Sequence, residues 1–448
     1  MGKNRRKNLP EGRFEADITA LSHEGRGIAK VDGKTVFIPF ALSGERVAFE
    51  YTLSKATYDE GRLLEVLQPV DARVSPPCPH FEICGGCALQ HLSLTAQILH
   101  KQQTLLSHYR HFAKGLEPET LLAPIVSPRS EGYRTKARLG VRYVHKKNKV
   151  LVGFRERNGR FLAEIDRCKV LHQSIGGDLT ALQDLIFSLS IYKEIPQIEI
   201  AVDEERSALI IRHLVPFSEK DLEKLKSFAI AGHLWIYLQS KGPQTIRRLS
   251  PESTQRPLQM SYHLPAYNLT LDFAPNDFTQ VNPDVNRKML DQALLLLAVS
   301  SEDNVLDLFC GLGNFSLPLA TKAKRVVGIE GDEAMVQRAA LNAKRNGLGN
   351  TAFYAANLFE AFTTSAWLKE TKFHKLLLDP PRAGAEFVCQ NIEQIAPKRI
   401  VYVSCNPATL ARDAGILVNE KGYRLKASGV MDMFSHTAHV ESMALFEK

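Results

Sequence analysis

No stretch of this 448-residue chain stays apolar for the ~20 residues that a membrane span needs, and the longest candidates lie around Ala293 to Val299. The basic start, Met1-Gly2-Lys3-Asn4-Arg5-Arg6-Lys7, is followed by no hydrophobic core of the kind a secretion signal carries, so a cytoplasmic protein is expected. With nothing to mark secretion, the seven cysteines are not expected to pair as disulfides. Internal repeats and low-complexity tracts are missing too, which leaves two or three ordinary globular domains for this length.

An acidic balance is also absent. The net charge is +8, and it is localised: between Arg129 and Lys169 stand 13 Lys or Arg against 4 Asp or Glu, while the rest of the chain is nearly neutral. Tyr133, Tyr143, Phe154 and Phe161 are interleaved with that charge. Alternation in Ala137-Arg138-Leu139-Gly140-Val141-Arg142-Tyr143 predicts strands with one basic face. Cations for phosphates and rings for unstacked bases are what a folded RNA requires. A merely solvated strand face is the competing explanation.

Before this patch, residues from Phe14 to Gln68 form a separate unit. Ile18 to Leu21, Gly27 to Val31, Lys34 to Pro39, Arg46 to Tyr51 and Glu60 to Val66 read as five short strands, with Asp32-Gly33 as a two-residue hairpin turn. Five such strands suggest a small OB-like barrel. Gly25-Arg26-Gly27 and Phe37-Ile38-Pro39 make the segment similar to a TRAM domain. The expected boundaries are 1–69 for the basic tail and this barrel, 70–264 for a central α+β RNA-binding region, and 265–448 for a catalytic α/β domain. Leu92 to Phe112 reads as a helix of the central region.

Within the last part, the strand Val305-Leu306-Asp307-Leu308 runs into Phe309-Cys310-Gly311-Leu312-Gly313-Asn314. A second strand ends in Glu330, 19 residues after Gly311, where an acid can accept hydrogen bonds from ribose hydroxyls. The dinucleotide fingerprint lacks its third glycine here, so a cofactor without a pyrophosphate is expected. S-adenosylmethionine (SAM) fits a loop-plus-acid pocket. A third strand ends in Asp379-Pro380-Pro381-Arg382. A fourth, Arg399 to Val403, runs into Ser404-Cys405-Asn406-Pro407, which sets a thiol at a strand's carboxyl end. His436-Thr437-Ala438-His439-Val440-Glu441 adds a carboxylate. A lone cysteine beside an apolar strand is ordinarily a small buried hydrophobe. A thiol with a carboxylate also suits addition of a nucleophile to a ring and later removal of a proton.

Three more cysteines cluster as Cys78, Cys84 and Cys87 in a C-x5-C-x2-C spacing, and Cys168 follows 81 residues later. The spacing leaves zinc and an iron–sulfur cluster both open, with His80 or His91 as an alternative fourth zinc ligand. It is not the C-x3-C-x2-C of radical SAM enzymes. Cys310 and Cys389 are expected to be packing thiols.

Together, Phe278-Thr279-Gln280-Val281-Asn282, the 307–314 loop, Glu330, Asn357-Leu358, Asp379 to Arg382, Ser404 to Pro407 and His436 to Glu441 resemble the SAM-dependent RNA uracil-5-methyltransferase family. The TRAM-like barrel and the cysteines point to its bacterial 23S ribosomal RNA branch. Ser435 and Ala438 depart from the family's usual Pro and Gly. The resemblance implies a Rossmann-like catalytic domain, a [4Fe–4S] cluster on Cys78, Cys84, Cys87 and Cys168, and 23S ribosomal RNA as partner, with monomer as the default. It implies that Gln280, Phe309, Asn314, Glu330, Asn357 and Asp379 line the SAM and uracil pocket. Cys405 would add to carbon 6 of uracil, and Glu441 would remove the carbon-5 proton. Phe278 could stack on an everted base. The rival readings are a tRNA-directed relative and a non-catalytic iron–sulfur RNA-binding protein.

Overall fold

A computed structural model describes residues 9–157, 159–251, 260–360, 366–369 and 371–448. Its N-terminal unit is a six-stranded barrel with strand order Phe14–Asp17, Arg46–Ser54, Tyr58–Gln68, Lys34–Ile38, Gly27–Val31, Ala20–Leu21. The strand expected over Ile18 to Leu21 instead begins at Phe14 and breaks at Ile18-Thr19. Its first half pairs with Arg46–Ser54 and its second with Gly27–Val31, so the break is where the chain crosses between the sheet's two edges and closes it. The curled sheet encloses Ile18, Val36, Ile38, Val47 and Phe49. Asp32 and Gly33 both take positive φ, 50° and 79°, as the predicted two-residue turn requires.

The central region is a six-stranded sheet ordered Arg247–Ser250, Leu234–Gln239, Ser207–Arg212, Gln197–Val202, Lys136–Val144, Lys149–Gly153. In Lys136–Val144, Leu139 and Val141 face the core while Arg138 and Arg142 are exposed, so the alternation does give one basic face. Part of its charge is neutralised: Arg138 pairs with Glu199, Arg129 with Asp284, and Lys147 and Lys149 with Glu164. Lys136, in phase with the basic face, is turned inward and donates to the carbonyls of Pro275 and Asp277, both at 2.6 Å.

The catalytic sheet contains β1 (Asn304–Leu308), β2 (Arg325–Glu330), β3 (Thr351–Ala355), β4 (Lys375–Leu378), β5 (Arg399–Ser404), β6 (Arg424–Met431) and β7 (Glu441–Glu447). Its order is β3-β2-β1-β4-β5-β7-β6, and Thr120–Leu121 extends the far edge beside β6. The first five strands are parallel and β7 is antiparallel to both neighbours. Because strand order reverses between β1 and β4, the loops after them part and open a crevice at the carboxyl ends.

Two segments assigned by sequence to the central region pack against this sheet. Helix α1 (Leu94–Phe112) buries Ile98, Leu105 and Tyr109 in one core with Leu376, Ile400 and Phe446, and Tyr109 donates to or accepts from Ser428 Oγ at 2.9 Å. Cutting Leu105 to Ala there is expected to cost ~2–5 kcal/mol. The hairpin Met260–Leu264 with Leu269–Phe273 packs on the sheet's other face, so an expected boundary at 265 falls inside its turn. No described helix is long and apolar enough to cross a membrane.

Candidate active site

The loop after β1 is built around Glu330 at the end of β2. Glu330 Oε2 accepts from the Gly311 amide at 3.0 Å, while Oε1 accepts from Gly331 at 2.7 Å and Asp332 at 3.2 Å. The 19-residue spacing read in sequence is therefore a direct hydrogen bond between turn and acid. Phe309 (φ 66°), Gly311 (φ 56°) and Gly313 (φ 97°) all take left-handed backbone. In a bulky residue such as Phe309 that conformation is strained, and strain of this kind gathers at ligand sites. At position 313 the φ of 97° favours glycine, and a Cβ there would also press on the tip of the Leu317 side chain, at 2.4 Å.

Asn314 is largely occupied by the protein itself. It exchanges amide hydrogen bonds with Asn286, at 2.9 and 3.1 Å, and accepts from the Tyr262 hydroxyl at 2.8 Å. One amide hydrogen is left for a ligand. Asn357, exposed just after β3, accepts from the Phe359 amide at 3.0 Å, and the Phe359 ring packs 5.8 Å from Phe309. Gln280 and the exposed Phe278 precede Asn282, which caps α2 (Pro283–Leu297) by accepting from Val285.

Asp307, quoted in the motif but given no role from sequence, is buried inside β1. One carboxyl oxygen accepts from Ser316 Oγ at 2.5 Å and the other has no partner. Burial pushes its pKa up to about 8, with Asp379 and Glu330 adding repulsion. Asp379, at the end of β4, is pushed up to about 7 by burial and then by Glu330. Three carboxyl groups thus crowd the β1–β4 crevice, and each would be relieved by a cationic ligand.

Cys405 follows β5, and Asn406 caps α4 (Pro407–Asn419), numbered after the helix Glu333–Arg345 (α3), by accepting from Ala408. Asn406 also donates to the Arg382 carbonyl at 3.0 Å, which ties the β5 loop to the β4 loop. The half-buried thiol opens on a cavity of about 510 Å³ shared with Arg382, Thr437 and His439, and with His23 of the barrel. Burial raises the thiol to about 11, with Glu441 and then Asp379 adding repulsion; the Arg382 cation acts the other way. Glu441, the first residue of β7, is raised to about 8 by burial and then by Asp379, again opposed by Arg382. Arg382 donates to His439 Nδ1 at 3.2 Å. Among the charged groups around the thiol, Arg382 is the one that favours its thiolate.

Cys78, Cys84, Cys87 and Cys168 line a second cavity with Phe81, Gly86 and Arg134. Burial raises Cys87 to about 12 and Cys168 to about 11, and the thiols repel one another as they ionise. No group of His, Cys, Asp or Glu among the described residues is arranged around a single metal ion. His80 Nε2 is held 2.7 Å from Asp166 Oδ1, and His91 packs against the rings of Phe40 and Phe81, at 6.0 and 5.4 Å between centroids. Cys310 and Cys389 are buried, as expected of packing thiols.

Comparison with known proteins adds three findings. The family model described as tRNA (Uracil-5-)-methyltransferase matches residues 125–448, and the TRAM domain model matches 12–64. The chain is 59% identical to the 23S rRNA (uracil(1939)-C(5))-methyltransferase RlmD of Francisella tularensis subsp. novicida over the whole of both chains. It is 52% identical to the protein of that name from Hahella chejuensis, over 99% of each. Among solved structures, the Pyrococcus abyssi tRNA (uracil-54, C5)-methyltransferase in complex with S-adenosyl-L-homocysteine superposes with a TM-score of 0.73. The match covers 97% of this chain and 100% of that one, at 23% identity, and establishes a shared fold.

Proposed function

The chain belongs to the tRNA (uracil-5-)-methyltransferase family, and from that we infer that it methylates carbon 5 of a uridine in 23S ribosomal RNA with SAM as donor. The rRNA assignment is supported by relatives that match from end to end, TRAM segment included. The tRNA-acting neighbour of known structure shares the fold at much lower identity. A monomer working in the cytoplasm is the simplest form of this reading.

The observation that carries the chemistry is the half-buried Cys405 beside Arg382 and Glu441 at the carboxyl ends of the sheet. Carbon 5 of uracil is a poor nucleophile until a nucleophile adds at carbon 6. The Cys405 thiolate, its proton released to solvent, bonds through sulfur to carbon 6, and carbon 5 of the resulting enolate attacks the methyl group of SAM, breaking its bond to sulfur and releasing S-adenosylhomocysteine. Glu441 then removes the carbon-5 proton, the carbon–sulfur bond breaks, and the thiolate is regenerated. Arg382 favours the thiolate at the start and at the end of this cycle.

In the other half of the crevice, Asp307, Glu330 and Asp379 suit the positive sulfonium of SAM, and Glu330 suits its ribose hydroxyls. Gln280, Phe309, the remaining Asn314 amide hydrogen and Asn357 complete that pocket. Phe278 is exposed where an everted base could stack on it. The four-cysteine cavity suits a [4Fe–4S] cluster. It brings Cys78, Cys84, Cys87 and Cys168 to one cavity, the number of thiolates that such a cluster takes. Bound there, the cluster would be structural and would carry no step of methyl transfer.

The test is to incubate the protein with SAM and with 23S ribosomal RNA or tRNA transcripts, then digest and weigh the nucleosides. 5-Methyluridine confined to 23S RNA is expected. Its appearance in tRNA alone would overturn the rRNA assignment, and its absence from both would overturn the activity.

A further inference from the structure

Glu441 is presented by the connection between β6 and β7, residues 432–440, and besides its own internal hydrogen bonds that connection is tied to groups from elsewhere in the chain. The His436 carbonyl accepts from the amides of Ala88 and Leu89, both at 2.9 Å. These two residues directly follow Cys87. The His436 amide donates to Gln97 Oε1 at 2.9 Å, and Gln97 Nε2 donates to the carbonyls of Leu89 and Leu92, at 3.0 and 2.7 Å. Gln97 therefore staples the 88–92 segment to the loop. His436 itself has φ 68°, a left-handed backbone that a non-glycine residue keeps only when its surroundings impose it.

A second tie comes from Tyr133. Its ring is buried in a cluster with Cys87, Phe81 and Val170, against Cys168, and its hydroxyl donates to the Ser435 carbonyl at 2.9 Å. A third is independent of the cysteines. The buried Lys101 pairs with Asp432 at 2.7 Å and donates to the Phe434 carbonyl at 3.0 Å, while Ser435 Oγ donates to Asp432 at 2.6 Å. Two of these ties thus start within two residues of Cys87 or at a ring packed on it; the Ile125 carbonyl, which accepts from the Asp432 amide at 2.8 Å, and Arg382, bonded to His439, hold the loop from the catalytic side.

We propose that Gln97, Tyr133 and the Ala88-Leu89 amides are positioning residues for the Glu441 loop, and that through them the four-cysteine site sets how efficiently the carbon-5 proton is removed. This rests on the reading of Glu441 as the base. Neither Gln97 nor Tyr133 acts on the reacting atoms. Each fixes a backbone atom of the loop, and displacement of a catalytic group by ~1 Å costs on the order of 10²-fold in rate. Proton removal comes after methyl transfer, so a displaced base leaves the methylated RNA attached to Cys405.

The experiment uses the full-length protein with SAM and an unsubstituted 23S RNA fragment, comparing wild type with Tyr133→Phe, which deletes one hydroxyl, and Gln97→Met. Denaturing electrophoresis and mass spectrometry read the covalent methylated adduct. Single-turnover and steady-state assays read methyl transfer and release separately. The expected result is accumulation of methylated adduct in both variants and a ~10-fold fall in steady-state turnover. Transfer in the first turnover should be nearly unchanged. Methyl transfer and turnover falling together without adduct would overturn the proposal, as would unchanged turnover. Backbone exchange gives a reading that needs no catalysis: Cys87→Ala should speed amide exchange across 432–441 while β1 stays protected. Unaltered exchange there would overturn it equally. Failure of the proposed function is distinguishable, because wild type would then form no adduct even on 5-fluorouridine RNA.

Discussion

The crevice at the end of the catalytic sheet has two halves with opposite electrostatics. Where β1, β2 and β4 end, Asp307, Glu330 and Asp379 face one another, and repulsion and burial hold Asp307 and Asp379 toward their neutral forms. Where β5 and β7 meet, a thiol and a carboxyl share one cation, Arg382. The first half is poised to receive positive charge, and the second to create negative charge. Asp379 touches both, since it raises Glu441 and Cys405 as well as Asp307, so a cation taken up by the acidic half would also ease ionisation in the thiol half.

The contrast can be broken most completely on the thiol side. Cys405→Ala should reduce methyl transfer to background in a nucleoside mass assay while gel-shift affinity for RNA largely survives. Next in size, Glu441→Gln should slow turnover by ~10²–10⁴-fold, and methylated RNA should remain bonded to the protein on a denaturing gel. Arg382→Gln removes the cation that favours the thiolate. The alkaline rise in kcat/KM, set in the free enzyme by the thiol near 11, should then move upward, at ~10-fold in rate per pKa unit. A profile left in place by this substitution would separate Arg382 from the thiol.

The smallest effect concerns the acidic half and is a matter of stability. Asp307 binds its proton more tightly folded than unfolded, so its contribution is fully present below an unfolded pKa of ~3.9 and is lost as pH rises through about 8. Tm should therefore fall between about pH 5 and pH 9, and Asp307→Asn should lessen that fall by ~2–4 °C. An equal fall in both proteins, followed by calorimetry, would show that Asp307 is not the group titrating.

Much of this was legible in sequence because it is local. The Asp32-Gly33 turn, the helix ending at Phe112, the glycine loop and the acid at 330 depend on neighbours within a few tens of residues. What sequence could not show depends on distant partners. The helix read over Leu92 to Phe112 begins at Leu94, and its partners were out of reach of sequence: Tyr109 meets Ser428 and Lys101 meets Asp432, more than 300 residues away. The basic stretch is visible as a count, but its neutralisation by Glu199 and Asp284 is visible only in the fold. Asp307 was signalled by an acid inside an otherwise apolar strand, a pattern that costs free energy unless the charge has a use.

The most direct test of the account is a covalent trap. The protein is mixed with SAM and a 23S RNA fragment carrying 5-fluorouridine at candidate positions, and the digested adduct is weighed. Fluorine cannot leave as a proton, so the account predicts a methylated nucleotide bonded to the peptide that contains Cys405. An adduct on any other residue, or none from protein that binds both SAM and RNA, would contradict it.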